Sequence, residues 1–237
     1  MTRIDDGIEY IIKKLESNRR WLYVPKSEFK PFKVTFHLGA PVAVTVPWIN
    51  FDGLLGHIVL LHSLGRDYYL IPPKINIRRY LRGRGVRLPL KRTGLVTHCS
   101  ISQFEPNIPK LARIYKRFEA DLRSERLRHR KIRLGTGYYR SYAMQLPYIA
   151  ASRVVFYVNG AYELIRELLE AHVTGLGNDI RIGFGAVRKI EFELLDEDRS
   201  LVYDGRAMRP IPVEMCEDYG DAVMLAYKSP YWAPESV

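Results

Sequence analysis

The chain has 237 residues, 47% of them apolar, and a formal net charge of +11. That length suits one large domain with a sizeable core. No apolar run reaches the roughly 18–20 residues of a membrane span. Residues 1–9 carry three acids and no apolar signal core, so we expect no secretory leader. Two cysteines are too few for a zinc site or a disulfide framework. We therefore predict a cytoplasmic protein with no metal, no cofactor and no membrane partner.

The first 30 residues are predicted to form a helical extension. Within residues 1–20, five apolar side chains share one helical face: Ile4, Ile8, Ile11, Ile12 and Leu15. Pro25 and Pro31 then indicate a connection.

Residues 34–46 have a strand pattern that Gly39, Ala40 and Pro41 interrupt, which predicts a bulge or a strand in two parts. Asn50 can cap the next helix, whose first turn contains Asp52. That helix ends near Gly65 and is apolar nearly all round, so we expect it to be buried.

The rest of the chain predicts three more strand regions, a helix, a loop and a last strand. The strand patterns cover residues 94–104, 138–149 and 153–158, and a basic helix over 110–129 is inserted between the first two. Asn159 and Gly160 are predicted to turn the chain into a helix over 161–172, and a glycine-rich loop at 175–185 leads to a strand over 187–195. The order is βαββαβ once one strand and the insertion are set aside. It predicts an α+β, ferredoxin-like core related to the RNA-recognition motif, with an inserted basic helical finger. We place this domain at 31–215, its insertion at about 105–137, and a tail at 216–237.

Basic residues are concentrated in two segments. Residues 71–92 contain eight basic residues and no acid, and residues 110–140 contain eleven basic residues and three acids. By contrast, residues 189–237 contain five basic residues and eleven acids. Like charges at such density repel one another unless a polyanion neutralises them. Both segments also contain aromatic residues and glycines, which favour RNA over a membrane surface.

Helical spacing would place Arg113, Lys116 and Arg117 on one side of the inserted helix. A basic band would then continue through Arg123, Arg126 and Arg130. We expect these charges to contact phosphates and to support assembly, rather than to read bases.

The glycine-rich loop follows a helix and precedes a strand, which is the reverse of a dinucleotide-binding motif. It is either a connection with glycine caps or a backbone that follows a ribose-phosphate chain, with Arg181 and Arg188 beside it. The second interpretation is the one we favour. All predicted RNA-binding residues are the following: Arg78, Arg79, Arg82, Arg84, Arg87, Arg113, Lys116, Arg117, Arg123, Arg126, Arg130, Lys131, Arg133, Tyr138, Tyr139, Gly175, Gly177, Arg181, Gly183, Gly185 and Arg188.

The stretch HVTGLGNDIRIGFGAVRKIEFE, residues 172–193, resembles the C-terminal glycine-rich loop of the repeat-associated (RAMP) proteins of CRISPR systems. The stretch FHLGAPVAVTVPWINFDGLLGHIVL, residues 36–60, resembles the first strand and helix of one branch, the Cas-five-like subunit (the third Csf protein) of type IV effector complexes. The resemblance covers about residues 31–215. It implies a subunit that grips the 5′ handle of the guide crRNA and caps a filament of backbone subunits in a complex that also contains a large subunit. It leaves open whether target DNA beside the protospacer is contacted.

No residues are predicted to be catalytic. The chain has six histidines, of which His57 and His62 lie on the predicted buried helix and are expected to be core residues. His37 and His98 lie in strand patterns, and His129 lies among arginines that would keep its imidazole neutral. Two alternatives remain: a metal-independent endoribonuclease that processes crRNA with one of these histidines, and a stand-alone basic RNA-binding protein.

Overall fold

A computed structural model describes residues 3–18, 24–71, 88–117, 140–220, 222–229 and 231, with the side chains of all of these except 3–8 and 26. The helices are α1 (Arg3–Ser17), α2 (Phe51–Leu64) and α3 (Tyr162–His172). The strands are β1 (Phe29–Leu38), β2 (Val42–Ala43), β3 (Arg92–Thr93), β4 (Val96–Thr97), β5 (Gln103–Glu105), β6 (Ile108–Lys116), β7 (Tyr142–Ala150), β8 (Arg153–Ala161), β9 (Val187–Leu194), β10 (Val202–Tyr203) and β11 (Arg206–Ala207). The protein is therefore a mixed α/β structure.

Strand β1 is hydrogen-bonded on both sides within a four-stranded antiparallel sheet of order β5-β8-β1-β9. Its side chains alternate, and Phe32, Val34 and Phe36 are fully buried. The strand begins at Phe29, five residues before the predicted start, and Pro31 lies within it rather than in a connection. The predicted break is confirmed, because the register shifts between His37 and Leu38 and β2 joins a different sheet.

Helices α2 and α3 share one hydrophobic core with the sheet. Phe51 of α2 packs on Phe156 of β8, with ring centroids 5.2 Å apart, and Phe36 meets the same ring at 5.8 Å. Helix α3 contributes Ile165 and Leu169. The predicted helix α2 is confirmed, although Asn50 at its N-cap position makes no side-chain capping bond. No helix in the described parts of the chain is long and apolar enough to cross a membrane.

The predicted turn at Asn159 and Gly160 is wrong, because both residues lie inside β8. A Cβ atom on Gly160 would be 2.4 Å from the Pro89 carbonyl oxygen. The backbone of that neighbouring segment crosses here, and the Ala161 N–H donates to the same carbonyl at 3.0 Å. Glycine therefore serves a close backbone approach and not a turn.

The predicted strand over residues 94–104 is observed only as the short strands β4 and β5. Between them the backbone bonds to other parts of the chain. The Ser100 N–H donates to the Tyr157 carbonyl at 2.8 Å, and the Ser102 N–H donates to the Ile49 carbonyl at 2.9 Å. This segment thus joins the sheet to the start of α2.

The predicted basic helix over 110–129 is wrong in its described part. Residues 110–116 belong to β6, which pairs antiparallel with β7 over nine residue pairs from Ile108–Ala150 to Lys116–Tyr142. Leu111 and Tyr115 remain more than half exposed, so an apolar helical face at these positions would gain little stability from burial. Cross-strand hydrogen bonds satisfy the backbone instead. Residues 118–139 lie outside the described residues.

A buried ion pair ties the start of α2 to a distant segment. Asp52 and Arg209 are 2% and 3% exposed, and the Arg209 Nη2 lies 3.3 Å from the Asp52 Oδ2. Asp52 also accepts hydrogen bonds from Tyr231 and from the Thr97 hydroxyl. Burial raises the pKa of the nearby Cys99 thiol to about 12, so that group stays protonated at neutral pH. Asp52, the acid predicted in the first turn of the helix, thus lies in a buried network with Thr97, Cys99, Arg209 and Tyr231.

We predict that Arg209→Met destabilises the protein by about 3–5 kcal/mol, because it leaves a carboxylate buried without its cation. Urea unfolding of the full chain measures this change. Arg206→Met is the matched control, since Arg206 is exposed three residues earlier and should be nearly neutral. A loss below about 1 kcal/mol in Arg209→Met would contradict a structural role for the pair.

Candidate nucleic-acid interface

The glycine-rich loop at 175–185 folds back on itself and docks against residues 41–43. The Leu176 N–H donates to the Gly185 carbonyl at 2.9 Å, which closes the loop. The Asn178 N–H then donates to Ala43, and the Gly185 N–H donates to Pro41 at 2.7 Å. The loop therefore has a defined shape of its own.

Three of its four glycines are required by this internal packing. A Cβ atom on Gly185, where φ is +64°, would be 1.8 Å from the Leu176 carbonyl oxygen. On Gly177, where φ is +79°, it would be 2.4 Å from the Ala43 carbonyl oxygen, and on Gly175 it would be 2.8 Å from Ile180. These three residues were predicted to admit an RNA backbone, but here Gly177 and Gly185 allow the close approach of the protein's own backbone and Gly175 that of the Ile180 side chain.

Gly183 differs from the other three. Its φ is +101° and an added Cβ atom would meet nothing within 4 Å. The residue is exposed, and so is its neighbour Ile182. Of the loop glycines, this is the position where a ligand can approach the backbone closely.

Arg181 and Arg188 flank this open position in sequence. Both side chains are exposed, and neither makes a hydrogen bond or ion pair with another described residue. The Arg188 side chain lies against Gly39, where an added Cβ atom would be 2.8 Å from its Nε. A guanidinium group that is not paired with a carboxylate of the same protein is available to bind a phosphate group.

Helical spacing implied that three basic residues lie on one side of the inserted segment, namely Arg113, Lys116 and Arg117. The structure does not place them on one side. Alternation along β6 puts Arg113 on one face and Lys116 on the other. Arg117 follows the strand and is exposed, as is Arg113. The described part of the finger thus presents basic residues on both faces.

The hairpin and the loop meet at one surface. The Tyr148 ring of β7 lies 5.9 Å from the Phe184 ring of the loop, centroid to centroid. A shallow cavity of about 330 Å³ between them is also lined by Ala112 of β6 and by Gly183. The tip of the loop (residues 182–184) is therefore contiguous with the part of hairpin β6–β7 around Ala112 and Tyr148, which we call the base of the finger.

The remaining predicted RNA-binding residues lie outside the described residues. They are Arg78, Arg79, Arg82, Arg84, Arg87, Arg123, Arg126, Arg130, Lys131, Arg133, Tyr138 and Tyr139.

The histidines expected in the core are exposed. His57 lies beside Tyr68, whose hydroxyl is 2.8 Å from its Nδ1, and His62 Nδ1 lies 2.8 Å from His172 Nε2. His37 Nε2 lies 2.8 Å from Glu191. His129 is outside the described residues.

His98 belongs to a polar cluster that the sequence did not reveal. Its Nδ1 lies 2.8 Å from Asp198 and its Nε2 lies 2.8 Å from the Thr93 hydroxyl. Asp198 also accepts from the Asn159 amide at 2.6 Å. Burial opposes ionisation of Asp198, but hydrogen bonds from His98, Ser200 and Asn159 outweigh it and lower the pKa of this carboxyl. The charged carboxylate thereby attaches the segment after β9 to β8.

No group of three or more metal-ligating His, Cys, Asp or Glu side chains occurs within the residues that the structure describes.

Comparisons with known proteins assign the family. No curated protein matches the chain. A chain of a solved structure, "Cryo-EM structure of the Type III-B Cmr-beta bound to cognate target RNA", is 13% identical with a TM-score of 0.37, covering 78% of this chain and 67% of that one. A likeness at that level supports no conclusion about this chain.

The family comparison is decisive. Residues 90–237 match the family described as CRISPR type IV associated protein Csf3, a range that includes the glycine loop and the hairpin β6–β7. The resemblance to the type IV branch is thus confirmed. Since the match spans more than half of the sequence, the chain belongs to the Csf3 family of CRISPR type IV associated proteins.

Proposed function

We propose that this chain is a non-catalytic subunit of a type IV CRISPR ribonucleoprotein, in which it binds the 5′ handle of the guide crRNA. In this role it caps the filament of backbone subunits and supports recognition of target DNA. The observation that carries the proposal is the surface that Gly183 shares with hairpin β6–β7, together with the exposed residues Arg181 and Arg188 that flank Gly183 in sequence. This surface combines an open backbone position with cations that have no acid partner among the described residues.

A ferredoxin-like core is part of the proposal. The sheet order β5-β8-β1-β9, with α2 after β1 and α3 after β8, supports it. In this arrangement the loop at 175–185 joins α3 to the edge strand β9, next to the finger. The edge of the sheet formed by β9 would then face the handle.

The charge distribution supports RNA as the ligand. The acidic residues of β9 are used in internal pairs, with Glu193 bound to Lys33 and Glu191 bound to His37 and Lys189. Arg181, Arg188 and Arg113 have no such pair among the described residues. A ribose-phosphate backbone would neutralise these cations and release counterions.

The non-catalytic role is supported by the positions of the histidines. A general base needs a ring nitrogen that can reach the RNA 2′-hydroxyl. Both ring nitrogens of His98 are engaged, by Asp198 and by Thr93, and the side chain is buried. His37 Nε2 is engaged by Glu191.

We predict that the double variant Arg181→Ala/Arg188→Ala binds handle RNA more weakly and with a flatter salt dependence. Each lost phosphate contact should reduce the slope of log K against log salt by about 0.7, so the pair should reduce it by about 1.4. Fluorescence anisotropy across a salt series measures both quantities.

The matched control is Arg66→Ala/Arg206→Ala, which removes the same charge from two exposed positions outside the loop and the finger. Its slope should stay close to that of the wild type. Equal slopes for the two double variants would mean that the loop arginines make no specific phosphate contact.

We predict opposite behaviour for two loop glycines. Gly183→Ala should remain folded at a cost of about 1–2 kcal/mol for the positive φ, yet lose RNA affinity because its methyl group occupies the open approach. Gly185→Ala should lose roughly 3 kcal/mol or more of stability, because the new Cβ would overlap the Leu176 carbonyl oxygen. Thermal melting and RNA binding are measured on both. Wild-type affinity in Gly183→Ala would show that RNA does not approach this backbone.

We predict no cleavage of CRISPR repeat RNA by the purified protein, with or without EDTA. The assay follows radiolabelled repeat RNA on a denaturing gel, and His98→Ala and His37→Ala variants serve as comparisons. Specific cleavage that disappears in either variant would overturn the non-catalytic proposal and establish a metal-independent endoribonuclease.

A further inference from the structure

A second depression lies behind the glycine loop, away from the cavity that the loop shares with the finger. It has a volume of about 680 Å³ and lies between α2, the segment after β2 and residues 174–180 of the loop. That volume falls within the range of small-molecule binding sites in proteins. We refer to it as the α2 cleft.

The α2 cleft is lined by apolar and neutral polar side chains of the described residues. Its described lining includes no Lys, Arg, Asp or Glu. Two histidines contribute to it, and partial burial of the rings lowers the pKa of both His57 and His172, which disfavours their charged forms. A phosphate group would find no counter-charge among these described residues.

The lining instead provides ring faces together with neutral polar groups. Trp48 and Tyr69 contribute aromatic rings, while Asn178, Thr45 and Thr174 contribute amide and hydroxyl groups. The Asn178 amide lies 3.5 Å from the Thr45 hydroxyl, which is a long contact that a ligand with its own polar edge can replace. Proteins recognise unstacked bases with this combination of aromatic faces and hydrogen-bonding side chains.

The loop connects this cleft to the proposed RNA surface. Gly175, Gly177 and Asn178 form one wall of the α2 cleft, and the chain reaches Arg181 and Gly183 within a few residues. The hydrogen bonds from the Leu176 N–H to Gly185 and from the Asn178 N–H to Ala43 hold this wall in place. An RNA backbone on the outer side of the loop can therefore direct one base to its inner side.

We propose that the α2 cleft binds one unstacked nucleobase of the single-stranded RNA whose backbone contacts the glycine loop. This inference rests on the proposed RNA-binding function and adds a base-recognising site to it. The phosphate contacts at Arg181 and Arg188 give affinity for any RNA sequence, whereas the cleft adds a preference at one nucleotide position.

The experiment is a coupling cycle between protein and RNA. The RNA is the 5′ handle transcribed from the CRISPR repeat of the same locus, prepared as a series in which each base in turn is replaced by an abasic site. Each member is bound to the full-length wild-type protein and to Trp48→Ala, whose folding is checked by thermal melting. Trp48→Phe keeps an aromatic ring, and Leu95→Ala removes an exposed apolar side chain outside the cleft.

We expect one abasic position to lower wild-type affinity by about tenfold. Trp48→Ala should lower affinity for intact RNA by a similar factor, and the abasic site at that same position should then cause no further loss. Trp48→Phe should restore most of the affinity, and Leu95→Ala should show the wild-type pattern. Tyr69→Ala provides a second variant if Trp48→Ala does not fold, because Tyr69 is 72% exposed at the rim.

Three outcomes would overturn the inference, and they can be distinguished. If the losses multiply at every position while wild-type protein binds RNA, the cleft holds no base and the RNA-binding proposal stands. If Trp48→Ala binds every RNA normally but no longer co-purifies with the backbone subunit, the cleft holds a protein side chain. If wild-type protein binds no handle RNA, the proposed function fails together with the inference.

Discussion

Gly177 and Gly185 bring the backbone of the loop closer to its neighbours than any residue with a Cβ atom allows. These close approaches set the position of the loop against residues 41–43. Residues 42–43 in turn pair with β7, the second strand of the hairpin. The loop tip, the finger base and the α2 cleft are therefore arranged around one short piece of backbone. A shift at either glycine would displace the arginines on one side of the loop and the cleft wall on the other.

A second constraint is the disposition of charge. Three acids of the C-terminal third have partners inside the protein: Glu191 and Glu193 pair with β1, and Asp198 bonds to His98 and Asn159. Exposed pairs of this kind contribute little stability each, but they use the acids that could otherwise have neutralised the arginines of the loop and finger. Arg181, Arg188 and Arg113 are thus left without an acid partner among the described residues, and a polyanion can bind them.

The two proposed binding features divide the work of recognition. Arg181 and Arg188 are exposed and have long side chains that can follow a phosphate chain, and such contacts carry no sequence information. The described lining of the α2 cleft has no Lys, Arg, Asp or Glu and offers rings and neutral polar groups, so the contact proposed there is with a base. The proposed recognition of one repeat-derived handle among many RNAs needs both kinds of contact.

The sequence by itself determined much of the architecture. The apolar pattern that starts at Val34 predicted the strand that contains Val34 and Phe36, and the helical pattern at Ile165, Leu168 and Leu169 predicted α3, because each pattern reports which side faces the core. The basic segments and the glycine loop also indicated RNA binding, because the density of like charge and the spacing of glycines are properties of the sequence alone.

Only the tertiary structure decided the rest, since it depends on partners far away in the chain. Residues 110–116 have a spacing compatible with a helix, and pairing with residues 142–148 makes them a strand. Glycine is a common turn residue, yet Gly160 lies inside strand β8, where the backbone of Pro89 crosses it closely. Asp52 and Arg209 are 157 residues apart, so no local pattern could join them. Local periodicity reports which side of an element is apolar, whereas hydrogen bonds and close backbone contacts between distant segments are fixed only when the chain is folded.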